Sequence, residues 1–212
     1  MKYSLVFLMS MMLATFGCVK GGGTPEDENG KKTEVTQAPP QLTPEDIKNL
    51  MEDAAKPGPE HARLQPLVGT WRTTSKFWMQ PGTAPEVSKG FASNRWTLGK
   101  KFLKQDYSGK FGGVPFKGTG VLGYDKVKKS FISSWIDSMA TGMMLGEGEF
   151  NPTTNEIIMK SAYSCPMTGG TRNSRTITRI ISKNEHVFEM YDLAPDGSEV
   201  KTMEIVYKRA SK

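Results

Sequence analysis

Three kinds of hydrophobic pattern follow one another along the chain. Lys2 precedes an apolar run from Leu5 to Phe16. That run has the length of a secretory h-region and falls short of the roughly 20 apolar residues that cross a bilayer core. Residues 1–17 are therefore expected to be a cleaved signal. Residues 18–42 carry almost no large apolar side chain; they hold a glycine triplet, Pro39-Pro40 and many Glu, Lys, Thr and Gln. Such a stretch cannot bury enough surface to offset its ordering entropy, and reads as a disordered tether. Over 43–56 the period becomes helical. Thr43 can cap, Pro44 suits the first position, and Asp46 stands three residues after the cap. Ile47, Leu50, Met51 and Ala54 then recur at i, i+3, i+4 and i+7 until Lys56-Pro57-Gly58-Pro59 stops the pattern. This amphipathic helix is expected to dock its apolar side on the folded domain.

From 57 to 209 the pattern is ten short runs, from GTWRTTSKFWM to KTMEIVYKR, separated by turn signals such as Gly99-Lys100, Gly112-Gly113, Asn151-Pro152 and Asp196-Gly197. No helical stretch interrupts them, which excludes alternating βαβ architecture. The expected fold class is all-β: an antiparallel up-and-down barrel of about ten strands, because closure removes exposed sheet edges. Trp71 is expected to close the base beneath Leu64, Leu67 and Val68, its N–H meeting either the nearby chain end or a carbonyl of that lid. Trp78 falls on the opposite face of the run by parity.

Composition changes this picture little. The 212 residues suit one domain plus tails. The net charge of +6 is modest, and the lysines are spread along the sequence, which makes no case for nucleic acid. Two Cys and two His exclude a disulfide scaffold and a three-histidine zinc site; no metal site is expected. No glycine cluster leads into a helix as a phosphate loop would, and no cofactor is expected. Gly17-Cys18, directly after the apolar run, resembles a bacterial lipoprotein signal, which implies lipidation of Cys18. The expected location is then outside the cytoplasm, anchored by lipid in the bacterial cell envelope. Cys165, in SCPMTGG, reads as a turn cysteine with nothing near it to lower its pKa.

A wider set of motifs points to a family. PGPEH (57–61), LVGTW (67–71), KFWMQPG (76–82), RW..GKKFL (95–103), GYD (123–125), WIDSMATG (135–142), EGEF (147–150), PMTG (166–169) and HVFEMY (186–191) together resemble an uncharacterised bacterial family, domain of unknown function 1579. The resemblance implies a calycin-like (lipocalin-like) barrel, often on exported proteins, and brings no catalytic residue with it.

Polar groups in otherwise apolar runs are the candidate chemistry. Arg95, Asp137, Glu147, Glu149, Glu189 and Tyr191 qualify, with Trp135 sharing a face with Asp137. Turned inward, they would give a cavity with carboxylates, aromatic walls and a counter-charge at Arg95, suited to a small, partly apolar ligand. The alternatives are an enzyme using this interior polar cluster, or a structural envelope protein with no ligand. Paired carboxylates invite a glycosidase reading, but nothing sets their separation. A serine triad lacks its G-x-S-x-G elbow. A haem reading needs a late histidine; His186 follows the Lys183-Asn184 turn and is expected to be exposed. No residue is assigned a catalytic role.

Overall fold

The structure, a computed structural model, describes residues 41–194 and 196–211. The expected signal, nearly all of the tether and Cys18 lie outside the described residues. Ten strands follow in sequence order: β1 (Gly69–Phe77), β2 (Glu86–Thr97), β3 (Phe102–Phe111), β4 (Val114–Asp125), β5 (Ser130–Asp137), β6 (Met144–Asn151), β7 (Glu156–Cys165), β8 (Gly170–Ser182), β9 (Glu185–Leu193) and β10 (Glu199–Arg209). Each pairs antiparallel with its neighbours, and β1 pairs with β10, so the sheet closes as a barrel. Every ladder hydrogen bond then has a partner strand, as the hairpin spacing implied. β2 and β8 begin well before the runs FASNRWTLG and SRTITRIIS, because Glu86 to Gly90 extend the ladder with β1 and Gly170 to Asn173 that with β7.

Alternation assigns the faces. On β1, Trp71, Thr73, Ser75 and Phe77 are buried while Thr70 and Arg72 are exposed. The register carries that inward face around the barrel, through Ala92 and Tyr107 to Gly118, and through Tyr207 and His186 to Ile180. Two glycines matter here: an added Cβ at Gly120 would lie 2.8 Å from the Trp135 ring, and one at Gly118 would overlap it. Trp135 therefore lies flat over the β4 backbone, which only glycine permits.

One end is sealed. Helix α2 (Pro59–Ala62) and the 3-10 turn Gln65–Leu67 lead into β1. Leu64 and Leu67 join Leu103, Phe131, Ile157, Met159 and Ile180 in a basal core. Trp71 is fully buried, and its Nε1 donates to the Leu67 carbonyl at 3.0 Å. Arg209 latches this base: it stacks over Trp71 and donates to the carbonyls of Pro66, Val68 and Lys183. Gly69, at φ +138, leaves the room that this guanidinium occupies.

Helix α1 (Pro44–Ala55) forms with the expected cap, Asp46 N–H donating to Thr43 Oγ1 at 3.1 Å and Thr43 N–H to Asp46 Oδ2 at 2.9 Å. Its expected docking is corrected: Ile47, Leu50 and Met51 are all exposed. The base is already covered by α2, Leu64 and Leu67, and the extended Lys56 turns the helix aside. Lys126 ties it to the barrel, its Nζ donating to the Asp53 carbonyl at 2.6 Å and carboxylate at 2.8 Å.

Candidate functional site

The strand register divides the sequence-derived candidates. Trp135 and Asp137 face the lumen, opposite Gly120 and Gly118. Trp135 Nε1 donates to Asp137 Oδ2 at 3.0 Å, and Asp137 Oδ1 accepts from the Met139 N–H at 2.9 Å. The other five do not face inward. Arg95 lies outside, ion-paired with Asp106 at 2.5 Å. Glu147 and Glu149 alternate with Gly146 and Gly148, which take the inward positions of β6, and Glu147 meets Lys128 outside at 3.1 Å. Glu189 and Tyr191 alternate with the inward Phe188, Met190 and Asp192. The expectation of an interior built from these five fails because two adjacent residues of a strand never share a face, and here the glycines and apolar residues are inside.

Glu189 is nevertheless buried, under an external lattice of ions. Arg179 bridges Glu156 at 2.5 Å and Glu189 at 3.4 Å; Lys201 bridges Glu189 and Glu204 at 2.5 Å each; Lys76 reaches Glu204 at 3.0 Å. Tyr191 lies between Arg175 and Lys201, 4.5 Å and 5.9 Å from its ring centroid. The lattice joins five strands from outside.

Inside, two polar groups of different character appear. Near the base, most hydrogen-bonding capacity is met: Asn94 Nδ2 donates to the Leu67 carbonyl, Gln105 Nε2 to Asn94 Oδ1, and Ser75 and Thr73 reach the Tyr107 hydroxyl at 3.0 and 3.3 Å, while among the described residues buried His186 Nδ1 has no partner. Toward the other end, on β7, β8 and β9, it is not. Tyr163 donates to Asp192 Oδ2 at 3.1 Å, with the Arg172 guanidinium 3.6 Å from the same oxygen. Among the described residues, Asp192 Oδ1 and the hydroxyl of its cross-strand partner Ser174 have no partner, although both residues are buried. Burial, then the Asp192 charge and hydrogen bond, push the Tyr163 phenol up to about 12. Arg172 is about one-third exposed, so this cluster reaches the end opposite the helices. Cys165 is adjacent and buried rather than in a turn, and the Thr168 side chain holds its thiol below the ordinary value.

None of these residues was a sequence candidate. On β8, Arg172, Ser174, Thr176 and Thr178 alternate with Asn173, Arg175, Ile177 and Arg179. Both faces are largely polar, so periodicity could not choose between them.

His186 is corrected as well. It is buried, stacked on Tyr207 with centroids 4.2 Å apart and edge-on to Trp71 at 4.4 Å. Burial, with a smaller contribution from Arg209, lowers its pKa to about 3, so the ring is neutral.

A concave groove of about 810 Å³ runs along the sheet, lined by the outward Val121, Ile132, Leu145 and Ala162 and by the inward Ser133, Gly146, Ser161 and Ser174. Of its charged groups, Lys128 pairs with Glu147 and Arg175 with Glu199, while among the described residues Lys160 makes no ion pair. The unmet capacity is in the lumen.

Fold and site together define a closed ten-stranded antiparallel barrel, sealed by a short helix at one end, with a buried polar cluster in its lumen. The chain belongs to the family described as protein of unknown function (DUF1579), which matches residues 56–209. Among solved structures, Rv2717c from M. tuberculosis is similar at 16% identity and a TM-score of 0.53, covering 74% of this chain and 100% of that one. A redesigned β-barrel, mFAP0, solved bound to DFHBI, aligns at 15% identity and a TM-score of 0.36, over 68% of this chain and all of that one. No curated protein matches the sequence.

Proposed function

We propose that this protein is an exported, lipid-anchored binding protein whose barrel holds a small, partly apolar molecule. The observation that carries the reading is the pair of unpartnered atoms, Asp192 Oδ1 and Ser174 Oγ, inside the lumen. A buried carboxylate oxygen without a donor costs more than the roughly 1–3 kcal/mol of a neutral polar group. A ligand carrying a hydroxyl or amine end would supply that donor, with Arg172 and Tyr163 fixing the carboxylate from the other side. The apolar part of the ligand would lie against Trp135, Phe116, Phe188 and Met203, which pack in the upper core. The anchor is carried by Gly17-Cys18 after the apolar run.

The test uses protein purified from the membranes of its own host in mild detergent. Native mass spectrometry should find a small molecule on the wild-type chain, and peptide analysis should find an acylated Cys18 as first residue. Asp192→Asn, folded to the same circular dichroism, should hold that molecule about 10–100-fold more weakly, the loss of a charge-assisted hydrogen bond. Wild-type protein that comes through empty, in every preparation, overturns the binding reading.

A further inference from the structure

The two ends of the barrel differ sharply in charge. At the sealed end, the turns 98–101, 126–129, 152–155 and 183–184 carry Lys100, Lys101, Lys126, Lys128, Lys129 and Lys183 and no acidic residue, the nearest carboxylates being Asp125, Glu156 and Glu185 at the strand ends beside them. At the opposite end the five connections are 78–85, 112–113, 138–143, 166–169 and 194–198, and Asp196 is their single charged residue. Those same loops present Met79, Met139, Met143 and Met167, each between 51% and 80% exposed. Val114, which starts β4 at this rim, is exposed too. Scattered apolar side chains on a surface need no explanation; five around one rim, on loops almost free of charge, do.

Directly behind the rim stand cations. Lys110 and Lys117 flank the β3–β4 turn on the outer face, and Lys89 lies on the neighbouring strand β2. All three are exposed, and among the described residues none makes an ion pair. From the tip inward come uncharged methionine, then Glu86 and the Arg175-paired Glu199 at the strand ends, then unpaired lysine on β2, β3 and β4. This matches a bilayer surface, where apolar side chains enter the acyl boundary and lysines reach phosphates at headgroup level. Methionine suits such a surface, being flexible and soft. The other end cannot enter in the same way, because its turns carry ammonium groups that would have to be desolvated.

We infer that the open rim of the barrel docks on an anionic lipid bilayer, with Met79, Met139, Met143 and Met167 inserted and Lys89, Lys110 and Lys117 on the headgroups. The end of the barrel at which the Asp192 cluster reaches the surface then faces the lipid, so its ligand exchanges with the membrane; that last step alone rests on the binding reading.

The test places a spin label on the full-length acylated chain, in a Cys165→Ser background, at Met167→Cys or, as control, at Val127→Cys in a sealed-end turn. The chain is reconstituted on vesicles of phosphatidylcholine with and without phosphatidylglycerol. The label at 167 should gain oxygen accessibility and lose aqueous accessibility, most strongly with phosphatidylglycerol, while the label at 127 stays aqueous. Lys110→Glu with Lys117→Glu should lower the inserted-to-free ratio by at least fivefold per lysine. The inference is overturned by an aqueous label at 167 on both vesicles, by insertion at 127 instead, or by burial of the 167 label without vesicles, which would mean a protein partner or second copy. Insertion in protein whose lumen is empty would uphold docking while removing the binding reading, so the two fail separately.

Discussion

Trp71 and Trp78 share a segment of sequence and meet opposite environments. Trp71 is fully buried between the basal lid, His186 and the Arg209 guanidinium, whereas Trp78 is half-buried beside Lys201. Trp71→Ala removes a packed indole, its hydrogen bond to Leu67 and the platform for Arg209. It should cost about 3–5 kcal/mol, a large part of the roughly 5–15 kcal/mol that holds a domain together. Trp78→Ala should cost about 1 kcal/mol, the ordinary size for a residue outside the core. Urea unfolding of both variants reads the difference, and equal midpoints would contradict the packing described. This much was visible in the sequence, because Gly69-Thr70-Trp71 follows an apolar lid at the start of the first strand. The buried polar cluster was not, because Ser174 and Asp192 have polar or charged neighbours on both faces of their strands.

At the scale of elements, the outer faces of β7, β8, β9, β10 and β1 are held by alternating charges rather than by apolar contact. Glu189 is the buried centre of that lattice, and Lys201 supplies its closest cation. Lys201→Met leaves the carboxylate with only Arg179 at 3.4 Å, and should destabilise by about 2 kcal/mol. Adding Glu189→Leu should recover most of that loss, since replacing a whole pair by apolar residues is close to neutral. A double-mutant cycle by chemical denaturation measures this coupling. Strictly additive losses would mean that the lattice contributes nothing beyond solvent-screened surface pairs. Helix α1 shows the opposite case at this scale: its cap and period were legible in the sequence, yet its apolar side finds no place on a base already sealed by Leu64 and Leu67.

For the molecule as a whole, acid stability should depend on His186. Its folded pKa of about 3 lies below the ordinary value of 6.5, so the folded state holds the neutral ring. As pH falls below 6.5 the unfolded chain binds a proton that the folded one refuses, and stability drops by about 1.4 kcal/mol per pH unit until about pH 3. Above pH 6.5 the group contributes no slope. His186→Phe, which keeps the stack on Tyr207, should flatten this acid limb relative to wild type. Unfolding free energies measured from pH 7 to pH 4 decide it; parallel curves for the two proteins would mean that His186 is protonated in the fold.

The sequence by itself determined the number and order of the strands, their closure, the capped helix before them and the identity of the basal tryptophan. Each of these follows from local chemistry: turn residues at hairpin spacing, a cap three residues from its acid, a lid ending in glycine. Tertiary structure alone decided which face of each strand lies inside. A register fixed by all ten strands sent Arg95, Glu147, Glu149, Glu189 and Tyr191 outward, and brought Tyr163, Arg172, Ser174 and Asp192 together in the lumen from three separate strands. It also gathered lysines that are scattered in sequence onto the turns of one end, and left the loops of the other almost uncharged. Alternation carries a period but no origin. Where both faces of a strand are polar, only the neighbouring strands can supply that origin.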